Sequence, residues 1–169
     1  MTIFTELFRV EGPWPGHLAI SARPRGGDWL DDEMRAWRGA GIDVVVSLLE
    51  PEEAAGLDLE SEKARSEAAG IQFFSFPIVD RSIPAPSSDV HGFLRLIRAK
   101  LSEGKNTAIH CRQGVGRAGL IAAALLIEQG LSPAEAIRRV SDTRRVSIPE
   151  TEEQRAWIDS FAATLASNT

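Results

Sequence analysis

The stretch TAIHCRQGVGRAGLIAAALLIEQ, residues 107–129, decides the fold. Residues 107–109 read as a short β-strand, and residues 117–129 are apolar almost throughout and read as a helix. Between them runs a short turn with glycines at 114 and 116, residues that permit backbone conformations and close approaches a side chain would hinder. A strand that passes through such a turn directly into a helix is a building unit of an open α/β sheet. Ligands bind those sheets at the carboxyl ends of the strands.

The flanking sequence repeats the alternation. LAIS (18–21) suggests a short edge strand, and RPRGG (23–27) a turn, after which Asp28 is placed to cap a helix over 29–38. DVVVSLL (43–49) is a near-continuous apolar run, as in a central strand covered on both faces. A helix near 60–69 and a strand over 71–76 follow, then an exposed proline-bearing loop over 77–88. Ser87 or Ser88 then caps a helix with Val90, Phe93, Leu94, Ile97 and Leu101 on one face. Ser132, Pro133 and Glu135 open another helix as a capping box, and a last helix spans about 150–166, with Trp157, Phe161 and Leu165 at four-residue steps. With no internal repeat or linker, residues 1–169 are expected to form a single α/β domain: a central, mostly parallel sheet of four or five strands flanked by helices on both faces.

Composition narrows the function. The single cysteine excludes an internal disulfide and a multi-cysteine zinc site, and His17, His91 and His110 lack metal-ligand spacing. A net charge of −5 argues against nucleic acid or an anionic membrane as the main partner. The N-terminus lacks the apolar core of a signal peptide, and no apolar run approaches the ~20 residues that span a bilayer. The expectation is a cytoplasmic monomer whose lone thiol stays reduced. The charge is uneven, with 5 basic and 12 acidic residues in 1–60 against 14 and 12 in 61–169, so any anion site must be built locally.

Residues 111–117 are suited to such a site. The turn can aim successive backbone N–H groups inward at the positive end of a helix, a cradle for an oxyanion. Cys111 lies at its floor, where the same donors that hold a phosphate dianion also favour a thiolate. Arg117 can fold back to hold two phosphate oxygens with its planar fork. The combination fits in-line attack of sulfur on phosphorus.

HCRQGVGRAG, with PGHLAISARPR, GIDVVVSLLE and SIPETEEQ in the same order, resembles the cysteine-dependent protein tyrosine and dual-specificity phosphatases, above all the small atypical dual-specificity type. The resemblance covers most of the chain. It implies a phosphatase of phosphorylated proteins or small phosphomonoesters that uses no metal or cofactor. Cys111 would be the nucleophile, and Arg117 would bind phosphate. The backbone of Arg112, Gln113, Gly114, Val115, Gly116 and Arg117 would supply the cradle, and His110 would order the loop. Asp80, in FPIVDRSIPAP and 31 residues before Cys111, matches the family's general acid, with Arg81 beside it as either an ion-pair partner or a substrate contact. Gln154 resembles a glutamine that places the attacking water or lines the site. Ala118 departs from the family's Ser or Thr, whose hydroxyl bonds the cysteine sulfur, so release of phosphate from Cys111 is expected to be slow.

Other residues carry plainer readings. Glu50, at the end of a strand, reads first as a surface residue and otherwise as part of the pocket. His17 reads as solvated and His91 as a packing or surface residue. Arg23 reads as an ion-pair member, and Arg138, Arg139, Arg144 and Arg145 as a basic, solvated patch. Trp14, Trp29, Trp37 and Trp157 read as core or core-edge residues. Two competing functions are a phosphoinositide or inositol polyphosphate phosphatase, which the scarcity of cations in the loop disfavours, and a phospho-binding pseudophosphatase. A rhodanese-like sulfurtransferase fits the His-Cys pair, Arg117 and Asp80 poorly.

Overall fold

A computed structural model describes residues 4–167. Five strands, β1 (Phe8–Val10), β2 (Leu18–Ser21), β3 (Val44–Ser47), β4 (Gln72–Ser75) and β5 (Thr107–His110), form one sheet in the order β1-β2-β5-β3-β4. β2, β5, β3 and β4 run parallel, and only β1 is antiparallel, so the expected mostly parallel sheet is what forms. β5 is central, and all four of its residues are buried, as are those of β2 and β3. Apolar runs without alternation therefore mark strands covered on both faces.

Among the described residues, seven helices cover the sheet: α1 (Leu30–Gly39), α2 (Pro51–Gly56), α3 (Glu62–Ala68), α4 (Val90–Ser102), α5 (Gly116–Glu128), α6 (Pro133–Arg144) and α7 (Glu152–Ser167). One face carries a core of Leu30, Met34, Trp37, Ile42, Val45, Leu59 and Ile71, from α1, the segment leading into and including β3, and the residues flanking α3. The other buries α5 among α4, α6 and α7, and every residue from Gly116 to Ile127 is buried. A helix apolar all round is stable only in such a position.

Several local expectations are corrected. Leu18–Ser21 is interior, because the three-residue β1 takes the edge. Asp28 does not cap α1; a 3₁₀ turn, Gly27–Trp29, leads into that helix without a side-chain cap. Asp89, rather than Ser87 or Ser88, caps α4, its Oδ1 accepting from the Gly92 N–H at 2.9 Å. Ser132 caps α6 as expected, accepting from the Glu135 N–H. Trp14 and Trp37 are buried, but Trp29 is 55% exposed, with the Arg25 guanidinium 4.4 Å above its ring. His91 stacks on Phe161, which itself stacks on Trp157.

The unanticipated helix α2 matters most for the site. Pro51 occupies its first turn, and Glu50 and Glu53 form a reciprocal capping box. Pro at the first helical position and a carboxylate three residues after the cap are local helix-start signals. The box fixes Glu50 at the cap and turns Glu53 toward the end of the sheet.

Candidate active site

Cys111 directly follows β5 at its carboxyl end, and the loop that begins there runs into α5. It packs against the ends of the neighbouring strands: the Arg23 N–H donates to the Arg112 carbonyl at 3.2 Å, and the Leu48 N–H to the His110 carbonyl at 3.0 Å. Gly114 has φ of +70°, and a Cβ there would stand 2.3 Å from the Ser21 carbonyl carbon. Both conformation and space therefore require glycine. At Gly116 a Cβ would meet Glu150 Oε2 at 2.4 Å and the Gln154 amide at 3.1 Å, so the start of α5 lies directly beneath those two side chains.

A cleft of about 190 Å³ opens over this loop, lined by Asp80, Arg81, Cys111, Arg112, Gln113, Gly116, Arg117 and Glu150. Cys111, 3% exposed, lies at its floor. The cleft thus gathers Cys111, Arg117 and Asp80 from two segments more than 30 residues apart in sequence.

Arg117 is 2% exposed and held from several sides. Nη1 donates to Glu53 Oε1 at 2.8 Å and to the Ile78 carbonyl at 2.9 Å. Nη2 donates to Glu53 Oε2 at 2.8 Å and to Asp80 Oδ1 at 3.0 Å. Burial works to lower the pKa of Arg117, but the Glu53 hydrogen bonds, the Cys111 charge, and the Glu53 and Asp80 charges outweigh it and raise it further. Arg117 is a permanent cation. Burial likewise works to raise the pKa of Glu53, yet Arg117, with the Glu50 amide and Arg112, holds its carboxyl below the ordinary range.

Asp80 is about half exposed and reaches Arg117 from a loop that α7 ties down. The Ser82 Oγ donates to Glu153 Oε1 at 3.2 Å, and the Gln154 Nε2 donates to the Ser82 carbonyl at 3.0 Å. Arg81, with φ of +62°, lines the cleft and approaches Glu150 Oε1 at 3.7 Å. Gln154 is fully buried, its Oε1 accepting from the Glu150 N–H, so both ends of its amide are engaged by the protein.

Behind the loop, His110 is fully buried. Its Nε2 bonds Glu62 Oε2 at 2.6 Å, and its Nδ1 lies 3.2 Å from the Cys111 carbonyl oxygen. Ala118 is buried in the first turn of α5. Glu50 is absent from the cleft, where Glu150 stands as a second carboxylate beside Asp80. Sequence reasoning missed Glu53, Glu62 and Glu150. Only Glu53 carried a local signal, the box with Glu50. Among the described residues, no group of three or more His, Cys, Asp or Glu side chains could hold a metal ion, and no helix is long and apolar enough to cross a membrane.

Comparison with known proteins identifies the family. Residues 21–131 match the family model described as polymorphic toxin system, DSP-PTPase phosphatase. Human protein tyrosine phosphatase type IVA 3 is 36% identical over 89 residues, 52% of this chain and 51% of that protein. The chain spans about half the length of the first curated relatives it matches. Mouse protein tyrosine phosphatase domain-containing protein 1 is 34% identical over 137 residues, 76% of this chain and 18% of that protein. Among solved structures, Tk-PTP in its active form superposes with a TM-score of 0.76 at 27% identity, covering 93% of this chain and 96% of that one. Kinase associated phosphatase, with its catalytic-site cysteine replaced by serine, superposes at 0.87 over 99% of both chains; at 20% identity that likeness concerns the fold. The chain belongs to the DSP-PTPase phosphatase family of polymorphic toxin systems, within the cysteine-dependent tyrosine and dual-specificity phosphatases.

Proposed function

We propose that this chain, acting as one catalytic domain, hydrolyses phosphotyrosine and, to the extent the cleft admits them, phosphoserine and phosphothreonine in proteins. The observation that carries the proposal is the convergence of Cys111, Arg117 and Asp80 on one cleft at the carboxyl end of β5. The names of the relatives, protein tyrosine phosphatases, point the same way.

In the first step, the Cys111 thiolate attacks phosphorus along the line of the bond to the leaving oxygen. A sulfur–phosphorus bond forms as that oxygen departs. Asp80, protonated, gives its proton to the leaving alkoxide or phenoxide. Arg117 and the N–H groups of residues 112–117 hold the phosphoryl oxygens, whose charge must be met by fixed donors in a dry site. In the second step water attacks phosphorus, Asp80 takes its proton, and the thiolate leaves with inorganic phosphate released.

Resting geometry adds a condition. Asp80 occupies Arg117 Nη2, so phosphate binding there requires Asp80 to give up that contact. Gln154, fully engaged, acts by holding the Asp80 loop against α7 rather than by touching water. Glu150 brings negative charge to the cleft wall and disfavours substrates with a second phosphate, which counts against the phosphoinositide alternative. A free catalytic thiol suits the reducing cytoplasm.

The test is turnover of para-nitrophenyl phosphate and a phosphotyrosine peptide by wild type, Cys111→Ser and Arg117→Ala. Activity in wild type that disappears in both variants supports the proposal. Activity retained in Cys111→Ser overturns it.

A further inference from the structure

Arg144 was read from sequence as part of a solvated basic patch, but its side chain turns onto the outer surface of the Cys111 loop. Its Nε donates to the Gly114 carbonyl at 2.9 Å and its Nη2 to the Gln113 carbonyl at 3.1 Å. Its guanidinium carbon lies 4.0 Å over the ring of Phe8, in β1. Arg144 is the last residue of α6, which ends there because Arg145 takes a left-handed conformation with φ of +59°. Phe8 and Arg144 both lie outside residues 21–131, the span shared with the family.

Peptide planarity gives these contacts a consequence inside the cleft. In a trans peptide the C=O and the next N–H point in opposite directions. Pinning the carbonyls of Gln113 and Gly114 outward therefore turns the N–H groups of Gly114 and Val115 toward the interior of the loop. A cation on the carbonyl side also polarises each peptide and strengthens its N–H as a donor. Gly114 has no side chain to restrain it and already sits at positive φ, so the loop needs an external restraint at this point. Phe8 supplies a flat, partly buried platform that holds the guanidinium plane, a role for which Lys is a poor substitute.

We infer that Arg144, seated on Phe8, is a positioning residue that orients the Gly114 and Val115 amides of the oxyanion cradle, so that the edge strand β1 and helix α6 set the affinity of the site for phosphate. The inference rests on the proposed phosphate site, not on turnover.

The test uses the full chain and inorganic phosphate as probe, with binding followed by calorimetry and, where turnover exists, by inhibition of para-nitrophenyl phosphate hydrolysis. Arg144→Ala should weaken phosphate binding about tenfold and raise KM more than it lowers kcat. Arg144→Lys should recover part of that loss. Phe8→Leu, which keeps an apolar side chain in β1, should weaken phosphate binding about threefold, and combining it with Arg144→Ala should add little beyond Arg144→Ala alone. Should Arg144→Ala not fold, Arg144→Lys and Phe8→Leu carry the same comparison. Phosphate affinity within twofold of wild type in the folded variants, or strictly additive losses, overturns the inference. Absence of phosphate binding by wild type overturns it too, whereas absence of turnover with phosphate binding intact overturns only the hydrolase proposal.

Discussion

Arg117 and Glu53 face each other as a two-point ion pair, Nη1 to Oε1 and Nη2 to Oε2, each at 2.8 Å, in a site where Arg117 is almost wholly buried. Such a fork-on-carboxylate contact fixes the guanidinium plane as well as its charge. The pair is formed between the start of α5 and the capping box of α2, so a six-residue helix aims the cation that closes the phosphate cradle.

Glu53→Gln keeps the shape of this contact and removes its charge. The variant should lose about tenfold or more in kcat/KM through a misaligned Arg117, with KM carrying most of the loss. Stability should also change with pH. Glu53 titrates below its ordinary value in the folded chain, so the stabilisation it provides is present at neutral pH and is lost as pH falls through that depressed value. Thermal melting from pH 7 down to acid should therefore show a steeper decline in wild type than in Glu53→Gln. Parallel curves would contradict this.

Asp80 Oδ1 accepts from Arg117 Nη2 at 3.0 Å, the position the proposed mechanism assigns to a phosphate oxygen. Asp80→Asn removes both the proton donor and the competing negative charge. Its kcat should fall about a hundredfold or more, while inorganic phosphate binds more tightly than to wild type. Steady-state kinetics with phosphate inhibition checks both halves, and a weaker phosphate affinity in the variant would count against the contact.

What the sequence revealed and what it hid divide by distance along the chain. The β5-loop-α5 unit was legible because its signals are local: an apolar run, two glycines and an apolar helix, with Cys111 and Arg117 inside it. Asp80 was legible only through family spacing. β1 was missed because three residues cannot display a periodicity, and that omission alone turned Leu18–Ser21 into an apparent edge. Glu53 and Arg117 are 64 residues apart, and Glu62 and His110 48 apart. No local pattern encodes such pairings. Glu50 and Glu150 show the same limit: the first sits beside a strand in sequence but caps a helix, while the second reaches the cleft from the turn before α7.

Ala118 is buried in the first turn of α5, where the family places a hydroxyl that assists the departing sulfur. A hydrogen bond to a charged group contributes ~1.5–3 kcal/mol, so its absence should slow release of phosphate from Cys111 by about tenfold or more. Rapid-quench kinetics on para-nitrophenyl phosphate should show a product burst in wild type that Ala118→Ser diminishes while kcat rises. Unchanged turnover in Ala118→Ser with no burst in wild type would rule this out.

Glu150 stands on the cleft wall beside Arg81. Replacing it with Gln should raise kcat/KM for an inositol bisphosphate several-fold relative to para-nitrophenyl phosphate, since a second phosphate no longer meets a carboxylate. An unchanged ratio between the two substrates would show that Glu150 plays no part in selectivity.

The central claim is that phosphate passes through the sulfur of Cys111. Acid quench of wild type during turnover of para-nitrophenyl phosphate, followed by mass spectrometry of the peptides, tests it most directly. The account predicts one added phosphoryl group on the peptide containing Cys111, absent from Cys111→Ser, which should be inactive. Turnover that persists in Cys111→Ser, with no phosphoryl group on that peptide in wild type, would contradict it.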